Sequence, residues 1–125
     1  MNRNRDTKEI LVAGAARNCA DQIKTDISRL HCSLIDFERV HWLVIESDSE
    51  DDTLAKLDEL KAELNDFRYI SLGSLAEKMQ SRTERIAHCR NAYLKELQEN
   101  PLYQDVELVM VADLDGINTL ISREA

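Results

Sequence analysis

The chain has 125 residues and a formal net charge of −8, with 43% hydrophobic and 32% charged residues. That is enough chain for one domain with its own core and too little for two. An acidic surface of this kind does not attract nucleic acid by its overall field, so a phosphorylated ligand needs a local site built from placed arginines or a metal ion.

The first nine residues, Met1 to Glu9, are polar and charged, and no signal-type apolar region follows them. No apolar run reaches membrane-spanning length. Cys19, Cys32 and Cys89 are odd in number and widely spaced, which does not describe a disulfide framework. These features lead to the expectation of a reduced, cytoplasmic compartment with no transmembrane segment.

Ile10 to Ala15 form the first short apolar run, followed by the polar residues Arg17 and Asn18. Ala20, Ile23, Ile27 and Leu30 then repeat at spacings of three and four, as one apolar stripe on a helix does. Val40 to Ile45 are the second run, ending in the acidic stretch Glu46-Ser47-Asp48-Ser49-Glu50-Asp51-Asp52-Thr53. Within it Ser49 and Asp52 have the spacing of a capping box, with Asp in place of Glu. A second stripe follows at Leu54, Leu57, Leu60 and Leu64, and Phe67 to Ile70 make a weaker strand. Ile86, Cys89, Tyr93 and Leu97 mark a third helix, which Asn100-Pro101 stops. Val106 to Ala112 are the last strand, ending in Asp113-Leu114-Asp115-Gly116.

The order β-α-β-α-β-α-β predicts a three-layer α/β/α fold around a mainly parallel sheet. Strands buried on both faces read as continuous apolar runs, as three of these do. In such sheets ligands bind beyond the carboxyl ends of the strands, at the topological switch point.

Asp113 and Asp115 are two carboxylates one residue apart at the end of a buried strand. They repel unless a cation lies between them, and carboxylates suit Mg²⁺ or Mn²⁺. A solvated acidic turn is the plainer reading of the same residues. An EF-hand does not fit, because Gly116 comes too early and the loop lacks its final glutamate. Gly14 stands alone after the first strand, without G-x-G-x-x-G, and no P-loop pattern occurs. The pairs His31-Cys32 and His88-Cys89 lack zinc-ligand spacing, and Cys89 falls on the apolar stripe of its helix. Arg85 and Arg90, taken alone, read as surface charges.

Together, three segments resemble GT-A-type glycosyltransferases, among them family-2-like, capsule-associated and Golgi mannosyltransferase-like enzymes. Val44 to Thr53 is similar to the V-D-D-G-S-x-D-x-T segment, Arg85-Ile86-Ala87-His88-Cys89-Arg90-Asn91 to R-x-A-x-x-R-N, and Val109 to Asp115 to the strand ending in D-x-D. The resemblance covers roughly residues 10–118, leaving 1–9 as a polar segment and 119–125 as a tail.

It implies a donor-binding domain for a UDP- or GDP-sugar, with Mn²⁺ or Mg²⁺ as cofactor and a glycan or other acceptor as second substrate. By resemblance Ala13 to Arg17 line the base pocket, Glu46 contacts base or ribose, and Arg85 and Arg90 approach the nucleotide, its phosphate or the D-x-D carboxylates. Asp113 lies near ribose and metal, and Asp115 coordinates the metal. Ser47 departs from the pattern, which has a second acid there. In the family an acceptor half follows D-x-D, whereas ten residues follow Asp115 here. The expectation is an incomplete fold, poor transfer by the chain alone and self-association through the open side. The competing expectation is a receiver-like regulatory module that holds Mg²⁺ in an acidic cluster.

Overall fold

A computed structural model describes residues 9–114. Asp115 and the 119–125 tail lie outside the described residues, as does all of the 1–9 segment except Glu9, which opens the first strand.

Four parallel strands form one sheet: β1 (Glu9–Ala16), β2 (Arg39–Glu46), β3 (Phe67–Ser71) and β4 (Leu108–Leu114). Their order is β3-β2-β1-β4. The connections carry α1 (Ile23–Ser33), α2 (Thr53–Glu63) and α3 (Arg82–Glu99). Short 3-10 turns at Leu75–Glu77 and Pro101–Tyr103 flank α3. The fold is therefore three-layer α/β/α, as the alternating pattern predicts.

Two apolar clusters sandwich the sheet. Ile10, Val12, Trp42 and Val44 point to one side, against Ile23 and Ile27 of α1 and Leu57 and Leu60 of α2. Leu11, Ala13, Leu43 and Ile45 point to the other, against Cys89 and Tyr93 of α3. Alternate residues of β1 and β2 are thus buried on opposite faces, which is why these strands read as unbroken apolar runs. Burying one such leucine or isoleucine contributes about 1.5–3 kcal/mol.

Strand order grows outward from β1 through β2 to β3, then returns to the other side of β1 for β4. With right-handed crossovers, that reversal sends α3 to the face opposite α1 and α2. The switch point is between β1 and β4, at their carboxyl ends. Gly14 makes the close approach there possible. A β-carbon at this position would meet the Ala112 carbonyl oxygen at 2.0 Å.

The sequence boundaries needed three adjustments. Leu54 is exposed, and the buried face of α2 is Thr53, Leu57 and Leu60. The Ser49–Asp52 capping box does not form. Asp52 occupies the N-cap without a side-chain bond, and Ser49 Oγ accepts from the Asn18 N–H at 3.1 Å instead. A tertiary bond to the neighbouring loop takes the hydroxyl that a local cap would use. β4 runs to Leu114, two residues further than its apolar run. It is an edge strand, with Leu108 51%, Val109 42% and Val111 56% exposed. No helix among the described residues is long and apolar enough to cross a membrane.

Candidate functional site

Three loops leave the carboxyl edge of the sheet after β1, β2 and β3, and the acidic stretch laces them together. The backbone N–H of Ala20 donates to Asp51 Oδ2 at 3.1 Å and that of Cys19 to Thr53 Oγ1 at 2.9 Å. Glu50 N–H donates to Asn18 Oδ1 at 2.7 Å. Asp51 Oδ1 accepts from the Thr53 N–H at 3.0 Å and from its hydroxyl at 2.5 Å. Burial raises the Asp51 pKa, but the Thr53 hydroxyl and the Ala20 and Thr53 amides outweigh it and hold the carboxyl below its ordinary value.

The β2 and β3 loops are joined through Glu46 and Asp48. Glu46 is buried; one oxygen accepts from Ser71 Oγ at 2.5 Å and the other from the Ser49 N–H at 3.0 Å. Asp48 Oδ1 accepts from the Ala76 N–H at 2.9 Å, and its own N–H reaches the Gly73 carbonyl at 2.8 Å. Asp48 and Asn18 have φ of 58° and 48°, a left-handed conformation that Asp and Asn tolerate better than most residues.

Beside these loops, at the carboxyl end of β1, is a cleft of about 260 Å³. Ala15, Ala16, Arg17, Asn18 and Ser47 form one wall, and Arg82, Arg85, Ile86 and Cys89 of α3 form the other. The α3 residues recur at intervals of three, one and three, a single helix face. Arg85 Nη1 donates to the Met79 and Gln80 carbonyls, both at 2.9 Å, which fixes the turn before α3. Ser81 caps that helix by accepting from the Glu84 N–H at 3.4 Å. Among the described lining residues there are three arginines and no carboxylate. Arg17 Nε is buried and has no hydrogen-bond partner among the described residues.

Burial pushes the Cys89 thiol pKa up, a bond to Ser47 Oγ at 3.9 Å opposes it, and the Asp48 and Glu46 charges add to the rise. Cys89 is thus a buried thiol packed in the apolar cluster between α3 and the sheet.

The expected site residues fall in different places. Arg17 and Arg85 both line the cleft. Ala13 is fully buried inside β1, and Ala15 and Ala16 line the cleft in its stead. Glu46 is buried with both oxygens engaged by Ser49 and Ser71 and is not among the lining residues. Arg90 is exposed and is not among the lining residues. Five residues beyond Arg85, it is turned about 140° around the helix from it. The Asp113 Cα pairs with Ala15, which brings the end of β4 beside the cleft floor. Asp115 lies outside the described residues. Among those described, no group of three His, Cys, Asp or Glu residues is placed to hold a metal.

Asn18 and Arg82 are cleft residues that the motifs did not single out, and Ser47 is the position where the chain departs from the first motif. Arg82 was within reach of periodicity, since Arg82, Arg85, Ile86 and Cys89 share one helix face. Ser47 and Asn18 enter through loop conformation, which has no periodic signal.

No family model matches the chain, and no curated protein or solved structure is significantly similar to it.

Proposed function

We propose that the chain is the donor-binding part of a metal-dependent glycosyltransferase and binds a nucleotide-diphospho-sugar in the cleft at the carboxyl end of β1. The observation that carries the reading is the position of an arginine-lined cleft at the β1–β4 switch point, with the backbone of Asp113 beside Ala15. That is where doubly wound sheets bind their ligands. A leaving diphosphate needs fixed positive charge, and arginine supplies planar donors for phosphate oxygens.

Arg17 and Arg85 orient the diphosphate from opposite walls, and Asn18 and Ser47 offer polar groups beside it. Asp113 and Asp115 provide the carboxylate chemistry that suits Mn²⁺ or Mg²⁺. A bound divalent ion supplies charge stabilisation to the departing phosphate. Glu46 holds the loops that wall the cleft. The exposed apolar edge of β4 supports docking of a further element or a second copy along that strand.

The strand order favours this reading over a receiver-like module. Receiver domains follow the order 2-1-3-4-5, with β1 beside β3, whereas β1 here lies between β2 and β4.

A melting-temperature screen with UDP, GDP and their sugars, in Mn²⁺ or EDTA, tests the proposal. A donor at about 100 times its Kd stabilises by about 2.7 kcal/mol. The expected result is stabilisation that is larger with Mn²⁺, and Asp115→Ala removes the metal-dependent part. No stabilisation by any nucleotide overturns the proposal, and reactivity toward acetyl phosphate would favour the receiver-like module.

A further inference from the structure

The cleft has a property that the D-x-D motif does not require: its walls are cationic by themselves. Arg17 comes from the β1–α1 loop, and Arg82 and Arg85 from the first turn of α3. Most oxygens of the nearby described carboxylates are bonded to the loops: Glu46 to Ser71 and Ser49, Asp48 Oδ1 to the Ala76 N–H, and Asp51 to Ala20 and Thr53, while Asp48 Oδ2 is buried without a hydrogen-bond partner among the described residues. A chain of net charge −8 thus concentrates guanidinium groups in one concave place and keeps the described carboxylates out of its lining.

Arg17 adds a second observation. Its Nε is buried without an acceptor among the described residues. A buried donor of a charged group is costly to leave unmet, so the position calls for an acceptor. In a cleft shared with two other arginines, the acceptor chemistry that neutralises most charge is an oxyanion with several oxygens.

We infer that the cleft is a metal-independent phosphate site, in which Arg17 and Arg82 grip the oxygens of a phosphate or diphosphate group. The inference rests on the donor-cleft reading above and deepens it. The arginines supply the affinity for the diphosphate, and metal bound at the end of β4 adds to that affinity without creating it. The shared ligand chemistry is a phosphate oxyanion, whether free or part of a nucleotide.

The test is calorimetric titration of the full chain in EDTA with inorganic pyrophosphate, UDP and uridine. Pyrophosphate and UDP bind and compete for one site, and uridine binds far more weakly. Arg17→Gln and Arg82→Gln each weaken pyrophosphate by roughly 10- to 100-fold, the loss of one charge-assisted bond. Arg29→Gln, on exposed α1 surface, leaves it unchanged. The wild-type Arg Nε–Hε NMR resonances provide a readout that needs no variant: at least one of them shifts on saturation with pyrophosphate in EDTA, and a spectrum that does not change overturns the inference.

Pyrophosphate binding that appears only with Mn²⁺ overturns this inference and leaves the metal-dependent donor reading standing. Pyrophosphate binding in EDTA that UDP does not compete for supports the oxyanion site and removes the nucleotide reading. No binding of pyrophosphate under any condition overturns the inference.

Discussion

Gly14→Ala sets two physical effects against each other at the switch point. Replacing a strand glycine by alanine ordinarily favours folding by about 0.4–1 kcal/mol, because the unfolded chain loses freedom. Here the new β-carbon lands 2.0 Å from the Ala112 carbonyl oxygen and 3.1 Å from its carbon, backbone atoms that cannot rotate away. Ordinary contact begins near 3.4 Å, so β1 and β4 must separate locally by more than 1 Å. A separation of that size breaks backbone hydrogen bonds at the Gly14–Ala112 register, each worth about 1 kcal/mol net. Overpacking of this kind costs about 1–3 kcal/mol. The clash therefore wins, with a net loss of about 1–3 kcal/mol and a fall in Tm of roughly 3–10 °C. Hydrogen exchange should locate the loss in the β4 amides, with β2 and β3 little changed. An unchanged or raised Tm, with β4 protection intact, would refute the close approach and with it the placement of Asp113 beside Ala15.

Three further outcomes follow from the same geometry. Thr53→Val keeps the shape of a fully buried side chain but leaves the Cys19 N–H without its acceptor, so urea unfolding should show a loss of about 1–3 kcal/mol. Trp42→Ala empties the centre of the face packed by α1 and α2 and should cost about 3–5 kcal/mol by the same assay. The Arg39 guanidinium holds Asp66 below the ordinary value of 3.8, and hydrogen bonds hold Asp51 low against burial. A lowered folded pKa contributes stability above the unfolded value and loses it as the pH falls through the folded one. The Tm difference between wild type and Asp66→Asn should therefore shrink in melts taken below about pH 4; a difference that stays constant there would deny the ion pair its role.

The strands and helices were legible because burial imposes period on sequence. β1 and β2 are covered on both faces, so no polar residue interrupts Ile10–Ala15 or Trp42–Ile45. The stripe Ile23, Ile27, Leu30 marks α1 for the same reason. What lies beyond period was not legible. Ser49 has the chemistry of a cap, yet it serves Asn18 across a gap of 31 residues. The acidic stretch looks like a ligand set, but Glu46 and Asp51 use both carboxylate oxygens, and Asp48 its Oδ1, to tie the loops together. Helix geometry separates Arg85, in the cleft, from Arg90, outside it, although a motif written as letters treats them alike. Position along the strands carried most of the site: the residues that end β1 and those that begin α3 do meet, because strand order reverses between β1 and β4.

The most direct test of the account is chemical-shift mapping of the full chain titrated with UDP. Two clefts compete as destinations: the one at the carboxyl end of β1, and one of about 450 Å³ at the opposite end of the sheet, lined by His31, Phe37 and Trp42. The account predicts saturable shifts in the amides of Ala15 to Asn18, Ser47 and Arg82 to Cys89, enlarged by diamagnetic Mg²⁺. Shifts confined to the Phe37 and Trp42 cleft, or no saturable shift at all, would contradict it.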